Sequence, residues 1–228
     1  MRATRHGEHL IALTRQGWVN CYLVRENDGF TLIDTTLPGW ATNILEAADQ
    51  AGGSIGRIAV THAHGDHVGS LDALHTELPG AEVLAPARDA RFMRGDKSLD
   101  PDEPQAKPRG SFPLVETEPT RLLAPGDRVG SLEVVASPGH TPGHVAYIDT
   151  RDRTLIAGDS FQTLGGLGVA GEIRPLFPLP GLATWHKATG VASGRALRAL
   201  EPARLAVGHG KVLESPAEAM DRVLARAS

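Results

Sequence analysis

With 228 residues, 41% apolar and 22% charged, the chain has the length and composition of an ordinary globular protein with one sizeable core. A formal charge of −4 and a pI near 6.2 give nucleic acid or an anionic membrane no electrostatic reason to bind, so the expected partner is a small-molecule substrate. The lone Cys21 excludes an internal disulfide, and no stretch has the apolar length of a bilayer span or a signal peptide, so the expected compartment is the cytoplasm.

Apolar alternation predicts strands at 9–13, 19–25 and 30–34, with Asn27-Asp28-Gly29 as a hairpin turn and Cys21 as a small core side chain. Pro38 opens a helical pattern that Gly52-Gly53 closes. A strand at 57–61, a helix at 67–78, a strand at 82–85 and a short helix near 86–93 follow. Residues 95–120 are rich in Pro and charge and read as an irregular loop or a cover over a cleft. Strands resume at 122–123, 132–136, 145–149 and 154–157, and a second irregular stretch fills 161–182. A helix at 184–200, a strand at 205–207 and a helix at 215–227, with Ser215 as N-cap and Pro216 at its first position, complete the chain. The whole of 1–228 is expected to be a single domain of two similarly ordered halves.

The stretch 61–71, THAHGDHVGSL, places four groups able to bind metal within six positions, directly after the apolar run Ile58-Ala59-Val60. Residues two apart in an extended segment point the same way, so His62 and His64 aim at one point. Gly65 permits a sharp turn that carries Asp66 and His67 to the start of the next helix. Three later strands also end in Gly followed by His or Asp: His140 after Ser137-Pro138-Gly139, Asp159 after Gly158, and His209 after Gly208. These add up to two coordination shells, one of His62, His64 and His140 and one of Asp66, His67 and His209, with Asp159 able to bridge both. Imidazole and carboxylate without thiolate suit two divalent metals, zinc first, with manganese or iron also compatible. Asp34, closing Leu32-Ile33-Asp34, is expected to hydrogen-bond a group of the cluster. His144 either backs the cluster, touches substrate or starts a strand. His6, His9 and His75 read as surface residues, and His186 as packing at a helix start.

The motif HxHxDH at 62–67, with His140, Asp159, His209 and the leading Leu32-Ile33-Asp34, resembles the metallo-β-lactamase superfamily over residues 18–212. The resemblance implies an α+β fold, a four-layer αβ/βα sandwich of two mixed sheets packed face to face with helices outside, and a metal pair at one edge of the strands. The ligand set is closest to glyoxalase II-like and acyl-homoserine-lactonase-like members. Asp159 stands where antibiotic-degrading members place Cys or do without a bridging carboxylate, which argues against antibiotic hydrolysis. Glyoxalase II-type thioesterases append a helical glutathione-binding domain, which is expected to be missing because nineteen residues follow His209. Lactonases typically carry a Tyr shortly after the bridging Asp, whereas this chain has Ser160-Phe161-Gln162. The oxygen-reducing di-iron relatives replace the second cluster His by Glu, and His64 stands against that.

The expected activity is that of a dinuclear hydrolase in which a metal-bridging hydroxide attacks an ester, lactone or thioester carbonyl, and Asp66 orients the nucleophile and then helps protonate the leaving group. A mononuclear iron enzyme acting on a persulfide with oxygen is the chief alternative, and a non-catalytic metal-binding protein is the other. Phe161, Gln162, Leu176 and Phe177, from the 161–182 stretch, are expected to shape an apolar pocket beside the metals, with 95–120 over it.

Overall fold

The computed structural model describes residues 1–227. Seven strands form the first sheet in chain order: β1 (Arg2–His6), β2 (Leu10–Arg15), β3 (Val19–Glu26), β4 (Gly29–Ile33), β5 (Ile55–Ala59), β6 (Glu82–Pro86) and β7 (Arg121–Leu123). Neighbours from β1 to β4 are antiparallel, whereas β4 to β7 run parallel. The second sheet takes β8 (Arg128–Val129), β9 (Leu132–Ala136), β10 (Val145–Asp149) and β11 (Thr154–Ile156). A small ribbon of β12 (Phe161–Gln162) and β13 (Gly168–Val169) intervenes before β14 (Arg204–Ala206) and β15 (Leu213–Glu214) complete that sheet beside β11.

Alternation along the strands builds the layers. On β3, Cys21 and Leu23 face outward, joining Ile44 of α1 (Ala41–Gln50) in one cluster. The same cluster takes Val68 of α2 (Gly65–Val68), Leu71 and Leu74 of α3 (Leu71–Glu77) and Phe92 of α4 (Ala90–Met93). The alternate residues Tyr22 and Val24 face inward, against Leu132, Val134, Val145 and Tyr147 of the second sheet. Beyond that sheet, Ala146, Ile148 and Leu155 pack under α6 (Lys187–Ala199) and α7 (Ala217–Arg226), while α5 (Leu179–Ala183) lies between β13 and α6 in the chain. This is the αβ/βα sandwich: helices, mixed sheet, mixed sheet, helices. A strand flanked by apolar neighbours on both faces reads as a continuous apolar run, which is how β3, β4 and β10 appear in the sequence.

The structure departs from the local expectations at five places. β1 was unforeseen because its RATRH sequence has no apolar alternation; it is an edge strand whose charged side chains face water. The helix expected at 67–78 is two helices. A Cβ at Gly69 would lie 2.6 Å from Pro38 Cδ, and Ser70 Oγ donates to the Leu37 carbonyl while accepting from Trp40 N–H, so residues 37–40 occupy the break. That same docking delays α1 from Pro38 to Ala41. Ser215 is not an N-cap: its φ is +47°, Pro216 takes the cap position, and no side chain caps α7. The stretch 161–182 is only partly irregular, since it holds β12, β13 and most of α5, whereas 95–120 carries no helix or strand.

Candidate metal centre

Every strand carrying a candidate ligand ends at the same edge of the sandwich. β5 delivers the 61–67 segment, whose extended backbone at His64 (ψ 148°) gives way to α2. The loop after β9 brings His140, the single turn 158–160 after β11 brings Asp159, and the loop after β14 brings His209. His62 Nε2, His64 Nδ1 and His140 Nε2 converge, with separations of 3.1 Å and 2.9 Å from the His64 nitrogen to the other two. Nitrogens about 2.0–2.1 Å from one tetrahedral ion would stand little farther apart than this. A second group of Asp66, His67 and His209 lies beside it. Asp159 stands between them, with Oδ2 3.3 Å from His140 Nε2 and 3.2 Å from His209 Nε2, and Oδ1 3.4 Å from His67 Nε2.

Two atoms indicate that this cluster fits a cation. His67 Nε2 and Asp159 Oδ1 are buried and have no hydrogen-bond partner, a costly arrangement unless an ion satisfies them. The far nitrogen of each imidazole is occupied by protein, which fixes the ring's orientation. His67 Nδ1 meets Asp34 Oδ2 at 2.7 Å, His64 Nε2 meets the Arg109 carbonyl at 2.8 Å, His140 Nδ1 meets Thr184 Oγ1 at 3.1 Å, His209 Nδ1 meets the Trp18 carbonyl at 3.1 Å, and His62 Nδ1 meets Thr61 Oγ1 at 3.0 Å. A carbonyl or carboxylate there accepts N–H, so that in the neutral, metal-binding form of His64, His67 and His209 the opposite nitrogen is bare towards the cluster.

The two positions differ electrostatically. Burial pulls the imidazoles of His62 and His140 well below their ordinary pKa, helped at His62 by the neighbouring rings and opposed at His140 by Asp159; His64 is lowered by burial too. Burial also acts on His67, yet Asp34, Asp159 and Asp66 outweigh it and hold the ring well above the ordinary value. His209 is likewise carried up to about 9, Asp159 and Asp66 overcoming burial. Asp66 and Asp159 sit below the usual carboxylate range, because the cationic rings around them outweigh the burial that would raise them.

Around these groups stand residues with supporting contacts. Asp34, in a left-handed conformation (φ +62°), also accepts from Thr61 N–H and Thr61 Oγ1. His144 backs the site rather than facing the cavity: its Nε2 accepts the Asp159 N–H at 3.0 Å, its Nδ1 pairs with Ser137 Oγ, and burial lowers it to about 3, so it is neutral. His186 caps α6 by accepting from Thr189 N–H, and His6, His9 and His75 lie part-exposed away from the cluster. Beside the ligands opens a cavity of about 620 Å³, walled by Trp18, Leu37, Val68, Phe177 and Leu182, with Gly110, Ser111 and Pro113 from the 95–120 stretch on its rim.

Phe161, Gln162 and Leu176 depart from expectation. Phe161 is wholly buried, its ring 3.2 Å from where a Cβ of Gly194 would stand, because β12 pairs with β13 and turns the ring under α6. Gln162 is buried in the same ribbon and is absent from the cavity wall. Leu176 is 84% exposed and points to solvent. Phe177 does line the cavity, its ring tilted by 53° to Trp18 at a centroid distance of 5.6 Å and by 51° to His209 at 5.3 Å.

Two residues escaped sequence reasoning. Trp18 is the last residue of the β2–β3 turn, where a large aromatic has no strand face to bury; that position was the available signal. Asp89 is fully buried and accepts from Ala63 N–H, Thr141 Oγ1 and Gly143 N–H, tying the 61–67 segment to the His140 loop. Its place just ahead of the short helix Ala90–Met93 was the only local signal.

An edge-of-sheet cluster of five imidazoles and two carboxylates, on two mixed sheets with helices outside, defines a class of metal-binding sandwich. The chain belongs to the metallo-β-lactamase superfamily, whose family model matches residues 15–209. It is 48% identical over 210 residues to the uncharacterized protein YobT of Bacillus subtilis, covering 92% of this chain and 90% of that one. The probable metallo-hydrolase YflN of the same organism is 29% identical over 216 residues, covering 84% and 80%. A hydroxyacylglutathione hydrolase of Rhizobium etli is 31% identical over 147 residues, which are 63% of this chain and 45% of that enzyme. Among solved structures, TTHA1623 in a di-iron-bound form superposes with a TM-score of 0.66 at 28% identity, covering 90% of this chain and 94% of that one. A beta-lactamase from Chitinophaga pinensis does so at 0.68 and 23%, covering 99% and 91%, which speaks for the fold alone.

Proposed function

We propose that the chain is a dinuclear metal-dependent hydrolase of ester, lactone or thioester carbonyls, with His62, His64 and His140 holding one ion, Asp66, His67 and His209 the other, and Asp159 between them. The observation that carries this is the pair of orphaned buried atoms, His67 Nε2 and Asp159 Oδ1, beside three convergent imidazole nitrogens. Two divalent ions there would supply a water of lowered pKa and an electrophile for the carbonyl oxygen.

The remaining work falls to the chain's own residues. Asp66 has a side chain 29% exposed, faces the cavity and is poised to accept a hydrogen bond from the attacking water. As the water oxygen bonds to the carbonyl carbon and the carbon–leaving-group bond breaks, Asp66 passes the water's proton to the leaving oxygen or sulfur. Trp18 and Phe177 exclude bulk water from one side of His209. Asp34, Thr184 and the Arg109 carbonyl hold the imidazoles in the required tautomers.

The complete second cluster favours this reading over a mononuclear iron enzyme. Zinc suits the nitrogen-rich ligand set, and the di-iron-bound relative keeps iron as the alternative. Metal analysis combined with kinetics on lactones, aryl esters and acyl thioesters tests it. Two ions per chain, with Asp66→Asn and His140→Ala each lowering kcat/KM at least a hundredfold, is the expected result. Wild-type turnover by both variants on every substrate would overturn it.

A further inference from the structure

Outside the ligand set itself, the cavity wall is apolar: among the lining residues no Lys or Arg occurs, and the only charged or titratable ones are His64, Asp66, His140, Asp159 and His209. Six large apolar residues are strongly exposed on the described surface, and four of them, Ile173, Leu176, Leu179 and Leu182, fall within ten positions of the chain beside the cavity. Leu179 (57% exposed) and Leu182 (49% exposed) also line it. Apolar side chains left in water at a cavity mouth, continuous with an apolar wall inside, form a surface that a bound apolar group would cover.

We infer that the site selects a substrate whose part distal to the reacting carbonyl is an uncharged aliphatic chain, running from the Trp18–Phe177 wall out over Leu179 and Leu182. The inference rests on the hydrolase reading for its chemistry but on the cavity alone for its selectivity. A distal carboxylate or ammonium would enter this wall without a counter-charge and lose its water there. Glutathione thioesters carry such groups at the end remote from the thioester, so this wall disfavours them, although relatives by sequence include hydroxyacylglutathione hydrolases.

The test uses the metal-replete full chain with two matched series, straight-chain acyl esters from four to twelve carbons and the same chains ending in a carboxylate. Hydrolysis is followed alongside calorimetric binding of the corresponding non-hydrolysable N-methyl amides. Expected is a rise in kcat/KM and in amide affinity of about two- to fourfold per added methylene, the upper figure corresponding to full burial of each CH2. The carboxylate series should stay flat and at least tenfold lower at equal length. Leu182→Lys should shift the ratio of carboxylate to neutral turnover and binding by tenfold or more towards the carboxylate. Amide binding that ignores chain length, or equal acceptance of both series, overturns the inference. Amide binding that follows the expected pattern without hydrolysis of any ester would sink the hydrolase reading while leaving the cavity's selectivity standing.

Discussion

At the scale of single residues, the candidate ligands were legible because metal chemistry leaves few substitutes. His62, His64, Asp66, His67, His140, Asp159 and His209 each follow a strand-like apolar run, and the structure brings all seven to one edge. What the sequence hid were groups that act through geometry alone. Asp89 is chemically an ordinary cap until its three donors, from residues 26 to 54 positions away, are seen. Replacing Asp89 by Ala would strand buried N–H and O–H groups at a cost of about 1–3 kcal/mol each. We therefore expect Asp89→Ala to lower the urea midpoint strongly, and Asp89→Asn, which keeps some acceptor capacity, to lose less. Protonation gives a second prediction. His62 and His140 are held neutral by burial, so metal displaces no proton there, whereas His209, raised to about 9, and His67 hold protons at neutral pH in the metal-free protein. Metal must displace those protons, so affinity at the Asp66/His67/His209 position falls by about tenfold per proton for each pH unit below the raised values. Dialysis against buffers of decreasing pH should release that ion first, and a simultaneous loss of both would refute the assignment. In the metal-free protein the sign reverses for folding: the stabilisation from His209 and its carboxylates is full below about 6.5, the ordinary His value, and is lost as pH rises through about 9.

At the scale of elements, strands with one or two buried faces were readable from apolar alternation, and their order along the chain matched. Breaks set by tertiary contact were not. The interruption between α2 and α3 depends on Pro38 pressing against Gly69, and no local propensity in residues 67–78 announces it. The same kind of contact governs two loops at the site. A Cβ on Gly139 (φ +134°) would lie 2.2 Å from Gly190 N and 2.3 Å from its Cα, in the first half of α6. Backbone cannot give way as a flexible side chain can, so Gly139→Ala must shift the loop that carries His140. We expect at least a tenfold loss of affinity for the ion at the three-imidazole position, measured by competition with a chromophoric chelator. The 95–120 stretch works similarly through Gly110 (φ +90°), where a Cβ would fall 2.4 Å from His64 Nε2, and through the Arg109 carbonyl on that same nitrogen. Composition foretold that this stretch would be irregular; that it fixes a ligand's tautomer required coordinates.

At the scale of the whole molecule, the consequential feature is where the ligands originate. His62, His64, Asp66 and His67 extend from β5 of the first sheet, while His140, Asp159 and His209 extend from β9, β11 and β14 of the second. An ion at either position is therefore a cross-link between the two sheets at one edge of their shared core, additional to the apolar face formed by Tyr22, Ile33, Val134 and Tyr147. The sequence showed this arrangement only through its likeness to a known sandwich, because nothing local states which strands become neighbours across two layers. Binding to the folded state alone stabilises it by RT ln(1 + [L]/Kd), about 4 kcal/mol per site at a thousandfold excess over Kd. For a chain of this length each kcal/mol moves Tm by about 2–4 °C, so stripping both positions should lower it by some tens of degrees. Measured by calorimetry with and without chelator, the drop should be largest for the wild type. It should shrink to about half in Asp66→Asn, which weakens one position only, and nearly vanish in His62→Ala combined with His209→Ala. A Tm indifferent to chelation would mean that Asp34, Asp89 and the sheet packing alone hold the two ligand-bearing edges together, and that the ions contribute chemistry without contributing to the fold.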